Sequence, residues 1–247
     1  MRFNAFTSRF LPVPAIAALL AAACSSSSSG GQPATAEVLD PTQPHYGNSD
    51  DVWGTAWFQW FYQLKEMTGN CIIPITDMTG ANCGYGQSGP VFFLAGTTGG
   101  TVERDKCVVP VGKAIFFPIL NFTADNAGVP AGMTSTDSQL MADIQTQMDE
   151  VPVDGLSAEF DGAPIANLGQ FRTAVKQYSY TLPPEPNVYT CLGESGVTGL
   201  VDPSYGAGFY VMLPPPAAGA HVLHFAGSSP KSSPPLNVDV TYKFTVM

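Results

Sequence analysis

Chemistry in this chain would have to come from few side chains: three histidines, five cysteines and a thin scatter of acids and serines. His221 and His224 form the one close histidine pair. On a strand, residues three apart point to opposite faces, so the two cannot chelate one metal together. His221, on the face of Leu223 and Phe225, reads as a hydrogen-bonded core residue. His45 precedes a helix signal and either positions the start of that helix or contacts a ligand. Cys71, Cys83, Cys107 and Cys191 contain no C-x-x-C pair, and their spacing fits no zinc finger. Asp125 and Asn126 beside Gly128 are of calcium-ligating type, yet their setting is that of an ordinary turn. Glu103, Asp105, Glu159, Asp161 and Glu194 offer carboxylates for glycoside hydrolysis, but no spacing separates any two of them from solvated charges. No metal or cofactor is expected.

Ser88 lies in Gly86-Gln87-Ser88-Gly89-Pro90. This run lacks the Asp and one Gly of the nucleophile motif of trypsin-like serine peptidases, and a serine nucleophile needs a base within hydrogen-bond reach. Ser88 therefore reads as a turn residue before a strand. Gly112-Lys113 is no phosphate loop, because Cys107 stands where the first Gly is required and Ala114 where Ser or Thr is.

Arg2 and Arg9 followed by the apolar run Phe10 to Ala23, ending in Ala21-Ala22-Ala23, have the layout of a signal peptide over residues 1–23. Cys24 and the run Ser25 to Ser29 come next, and the whole resembles the lipobox of bacterial lipoproteins, with Ala21 at the position usually held by Leu. That resemblance implies acylation of Cys24 and anchoring in the envelope, in the outer membrane; free secretion after ordinary cleavage is the alternative. Residues 24–44 are then a flexible tether, and 45–247 a single folded domain. Export to an oxidising compartment leaves four cysteines for two disulfides, with three connectivities open. Of ten basic residues, eight remain after loss of Arg2 and Arg9, against 20 acidic ones, a net charge of −12. Such a surface repels phosphate backbones and excludes nucleic acid as a partner.

The elements that must position these residues are mostly strands. Charged residues make up only 12% of the chain while Gly and Pro number 25 and 22, the composition of a turn-rich β protein. A helix is signalled from Asn48 to Gly69, with Trp53, Trp57, Trp60, Leu64 and Met67 on one stripe. The stripe predicts a helix covering a sheet face; the sharper alternative is an exposed aromatic platform for sugar stacking, with Phe58 and Tyr62 partly exposed and contacting the ligand. A second, surface helix is predicted over 137–149. Strands are predicted at 90–96, 101–109, 113–119, around an Asp161-Gly162 hairpin turn, at 174–182, and three times after Gly208. The alternation from Val238 to Val246 marks a half-buried strand. The sum is an antiparallel β-sandwich of about nine strands with two helices.

Several stretches together resemble a group of exported bacterial proteins of uncharacterised activity: Tyr46-Gly47-x-Ser49 ahead of Trp53, Trp57 and Trp60; Asp77-x-Thr79-Gly80; Cys83-x-x-Gly86-Gln87-Ser88-Gly89-Pro90-Val91; Phe93-Leu94-Ala95-Gly96; and Cys107-x-Val109-Pro110-x-Gly112-Lys113-Ala114. The resemblance implies a shared fold and a Cys83–Cys107 bridge, leaving Cys71 and Cys191, extra to the pattern, to pair with each other. It transfers no catalytic role. The expected function is that of a membrane-anchored binding or envelope-structural module, with carbohydrate or another envelope component as partner. The rival is a secreted hydrolase with its site in loops 121–135 and 183–206.

Overall fold

In the computed structural model, residues 35–66, 69, 71–232 and 235–247 are described. Their chain is mainly β, and its ten strands form two sheets. The first sheet has the order β1 (Val91–Phe93), β4 (Ala114–Asp125), β8 (Gly199–Leu213), β7 (Lys176–Leu182). The second runs β2 (Gly100–Arg104), β10 (Leu236–Val246), β9 (Gly219–Ser229), β5 (Ser157–Phe160), β6 (Ala163–Pro164), with β3 (Val108–Val109) also on β10. The pairing is not antiparallel throughout, as the sequence suggested. β1 runs parallel to β4, and β2 and β3 parallel to β10. Between Val91 and Asp125 the chain passes from one sheet to the other and back, so these strands cannot pair as hairpins.

The apolar run of β4 is buried along its length because both of its faces are covered. Ile115, Phe117 and Ile119 pack with Phe225, Val240 and Phe244 of the second sheet. Ala114 and Phe116 turn the other way, toward α1 (Asp50–Gln63). In β10 the alternation holds, with Val238, Val240, Tyr242, Phe244 and Val246 buried. The predicted second helix is α2 (Asp137–Asp149), opened by a Thr136/Gln139 capping box, and its Leu140, Ile144 and Met148 join the inter-sheet core. Asp161 and Gly162 both have positive φ, as a two-residue primed turn requires.

Three boundaries move. Helix α1 stops at Gln63 because Lys65 bridges to Asn187 and the Glu66 N–H donates to the Pro186 carbonyl, drawing the chain out of the helix. Residues 121–125, expected in a loop, extend β4. The segment 183–206 is interrupted by α3 (Val188–Cys191) and by the start of β8. The stretch expected as a tether up to residue 44 is docked where it is described: Ala36 N donates to Pro164 O (3.0 Å) and Leu39 N to Met212 O (2.9 Å). The 1–23 signal and Cys24 lie outside the described residues.

Both cysteine pairs are bridged as expected. Cys83–Cys107 has its Cα atoms 5.6 Å apart and Cys71–Cys191 4.9 Å apart. The first clamps the glycine-rich loop before β1 to the β2–β3 connection; the second ties the chain after α1 to α3. Disulfides of this kind mark an oxidising compartment. No helix among the described residues is long and apolar enough to cross a membrane.

Candidate functional site

Phe58 and Tyr62, the expected ligand-contacting rings of α1, are 4% and 8% exposed. Phe58 stacks on Tyr178 and Tyr62 on Tyr180, with centroids 5.4 and 4.3 Å apart. That side of the helix faces the first sheet, where Gly206 leaves room for the Phe58 ring. His45 is half-buried and bonds within the protein at the head of α1. Its Nε2 bonds to the Asp40 carbonyl (2.8 Å), its backbone pairs with Asn48, and its carbonyl accepts the Trp53 indole N–H (2.8 Å). It fixes the start of α1, its structural role.

The loops of the hydrolase reading do meet, at Asp125. Its carboxylate accepts from Tyr180 Oη (2.8 Å), Ser204 Oγ (3.3 Å), Tyr189 Oη (3.4 Å) and Ala127 N (2.9 Å). These donors occupy the oxygens a calcium ion would need. Burial drives the Tyr180 phenol far up, and burial with the Asp125 charge lifts Tyr189 to about 12, so both hydroxyls stay protonated as donors. This cluster fastens two loops to the sheet. The strand histidines are engaged too: His221 Nδ1 meets Asp161 Oδ2 (2.7 Å) and its Nε2 the Ala217 carbonyl (2.8 Å), while His224 Nε2 meets Asp239 Oδ1 (3.0 Å). All three histidines thus bond to groups other than Ser88.

The aromatic helix and the glycine-rich loop, the two most patterned stretches of the sequence, converge elsewhere. Between them lies a groove of about 500 Å³. It is lined by Trp53, Ala56, Trp60 and Gln63 of α1, by Leu64 and Phe93, and by Gly86, Ser88, Gly89 and Pro90 of the loop. The indole N–H groups point into the protein, Trp53 to the His45 carbonyl and Trp60 to the Tyr85 carbonyl (3.0 Å), so the rings turn carbon toward the groove. Gly86 has φ +66°, and a Cβ there would sit 2.4 Å from Leu64 Cδ2. Only glycine lets this loop lie so close to the helix.

The loop is held rigidly. Gln87 copies a strand residue: its Oε1 accepts from Phe93 N (2.9 Å) and its Nε2 donates to Phe93 O (2.7 Å) and Cys83 O (3.0 Å). This seals the open edge of β1. Lys113 Nζ donates to the Gly89 carbonyl at the tip. Behind the wall, Asp77 accepts five hydrogen bonds from Thr79, Gly80 and Asn82. Burial works against its ionised form, but those donors outweigh it and hold the carboxyl below its usual range. Arg104, 1% exposed, donates to the carbonyls of Asp77 (2.7 Å), Ala95 (2.6 Å) and Gly96 (2.9 Å).

Periodicity along α1 puts Trp53 and Trp60 on the side of the helix expected to pack against the sheet, whereas the groove takes both, and no motif marks Arg104. Strand parity held the signal for Arg104, which shares the inward face of β2 with Val102.

No family model matches the chain, and no curated protein matches it. Among solved structures it is similar to the solution structure of amebosin, at 9% identity over 64% of this chain and 100% of that one, with a TM-score of 0.19. A likeness so slight carries no argument.

Proposed function

We propose that the chain is an exported envelope lipoprotein, acylated at Cys24 and held in the outer membrane, whose body binds a ligand in the groove between α1 and the 84–90 loop. Its sandwich of strands, stapled by two disulfides, serves as the rigid scaffold. The observation that carries the binding reading is the groove itself: aromatic walls with preset ring orientations, none of whose lining residues bears a charge. Pockets that bind small molecules are mostly apolar, pre-formed and sparing in polar groups. Support for export comes from the two disulfides and from the signal-like sequence ahead of Cys24. Acylation of that cysteine would supply the lipid chains that stable anchoring needs.

Metabolic labelling with a palmitate analogue tests the anchor. The chain should take up label and fractionate with membranes, and Cys24→Ser should abolish both. Unlabelled protein in the soluble fraction would replace anchoring with secretion.

A further inference from the structure

We propose that the groove seats a neutral saccharide, one sugar ring lying against Trp53 and its hydroxyls met by Gln63 and Ser88. This assignment rests on the binding-module reading and names its ligand class.

Charge narrows the choice first. The mature chain's excess of acidic over basic side chains disfavours anionic ligands. A cation would find no counter-charge among Trp53, Ala56, Trp60, Leu64, Phe93 and the 86–90 loop. A neutral ligand remains. The ring surfaces narrow it further. Trp53 and Trp60 are each locked by an indole hydrogen bond and by edge or tilted contact with Phe93, at centroid distances of 6.2 and 5.6 Å. Trp60 is 8% exposed, so it is Trp53 that offers the fixed apolar surface against which the C–H face of a pyranose packs. Trp53 is only half-buried.

The polar groups then separate a sugar from an acyl chain. Gln63, at the end of α1, and Ser88, in the loop, both line the groove and are exposed, and among the described residues neither side chain hydrogen-bonds to the protein. An acyl chain would cover them without replacing their water. Hydroxyls of a sugar can both donate to and accept from an amide and a serine. A volume of about 500 Å³ lies within the small-ligand range.

Titration of indole fluorescence in the full chain bearing Cys24→Ser, which needs no lipid anchor, tests the assignment. The probes are tetramers of N-acetylglucosamine and of α- and β-linked glucose, a galacturonate tetramer, palmitate and a proline-rich decapeptide. At least one neutral oligosaccharide should shift the emission, with a Kd insensitive to salt. Gln63→Ala and Ser88→Ala, exposed changes that leave the fold intact, should each weaken binding by roughly three- to tenfold. Trp53→Ala should weaken it by about tenfold or more. Binding of galacturonate, palmitate or peptide in place of the neutral sugars, lost in Trp53→Ala, would keep the groove as a binding site and overturn the saccharide. Silence toward every probe would overturn both.

Discussion

Arg104 Nη1 donates to the Tyr242 hydroxyl at 2.5 Å, and its guanidinium carbon lies 5.0 Å from the centre of the same ring. The Tyr242 hydroxyl in turn donates to the Ala95 carbonyl (2.8 Å), to which Arg104 also donates. One buried cation thereby joins β2, β10, the end of the β1 run and the Asp77 turn behind the groove wall. Its acceptors are carbonyls and a hydroxyl that point at a planar fork, a geometry an ammonium cannot match.

Removing that fork strands several buried acceptors at once. Arg104→Met should cost about 3 kcal/mol or more, and Arg104→Lys should recover less than half of it. Urea denaturation followed by fluorescence measures both.

The groove wall depends on Gly86 having no side chain. Gly86→Ala combines a positive φ with a Cβ 2.4 Å from Leu64 Cδ2 and 3.3 Å from Trp60 Nε1. It should cost about 1–3 kcal/mol and shift the Trp60 emission. Gly84→Ala, with nothing within 4 Å of its Cβ and no positive φ, is the neutral control.

Asp50 begins α1 with a carboxyl that is 6% exposed and has an oxygen, Oδ1, without a hydrogen-bond partner. Burial pushes its pKa up from 3.8 to about 6, with His45 opposing and Asp51 and Asp40 adding to the rise. The folded state therefore holds the proton more tightly than the unfolded one. Stability falls as pH rises from about 4 to 6, and above that the ionised group costs roughly 2–3 kcal/mol. Asp50→Asn should stabilise the protein at pH 7 and do nothing at pH 3.5, as paired melts at the two pH values would register.

His221 has the opposite sign. Burial pulls its pKa down, but the Asp161 hydrogen bond, the Ala217 carbonyl and the Asp161 charge outweigh it and leave it raised above 6.5. Both nitrogens face acceptors, which only the imidazolium satisfies. Stacked on Phe160 and close to Phe244, it ties the 214–218 loop to the Asp161-Gly162 turn. This contribution is full below pH 6.5 and disappears as pH climbs through the folded-state value. Proton NMR should show the His221 ring titrating above the ordinary histidine value of 6.5, and His221→Gln should narrow its stability deficit toward alkaline pH.

Much of this fold is legible because local and global preferences agree. The period-two run to Val246, the Thr136 cap and the Asp161-Gly162 turn each satisfy backbone needs within a few residues. What escapes depends on neighbours distant in sequence. Parallel pairing of β1 with β4 follows from crossing between sheets, which no local pattern records. Phe58 and Tyr62 are hidden by Tyr178 and Tyr180, more than 100 residues away. The wide aromatic stripe of α1 has two destinations, the sheet and the groove, and periodicity alone cannot divide it. Glycines 86 and 89 announced a turn but not that a helix lies against it.

Mass mapping of the unreduced chain, taken from the membranes of its native host, tests export and anchoring most directly. Two linked peptide pairs, Cys83 with Cys107 and Cys71 with Cys191, should be found together with an amino terminus at Cys24 carrying glyceryl-linked and amide-linked acyl chains. Free, alkylatable thiols at Cys83 and Cys107 in a chain that still carries residues 1–23 would contradict it.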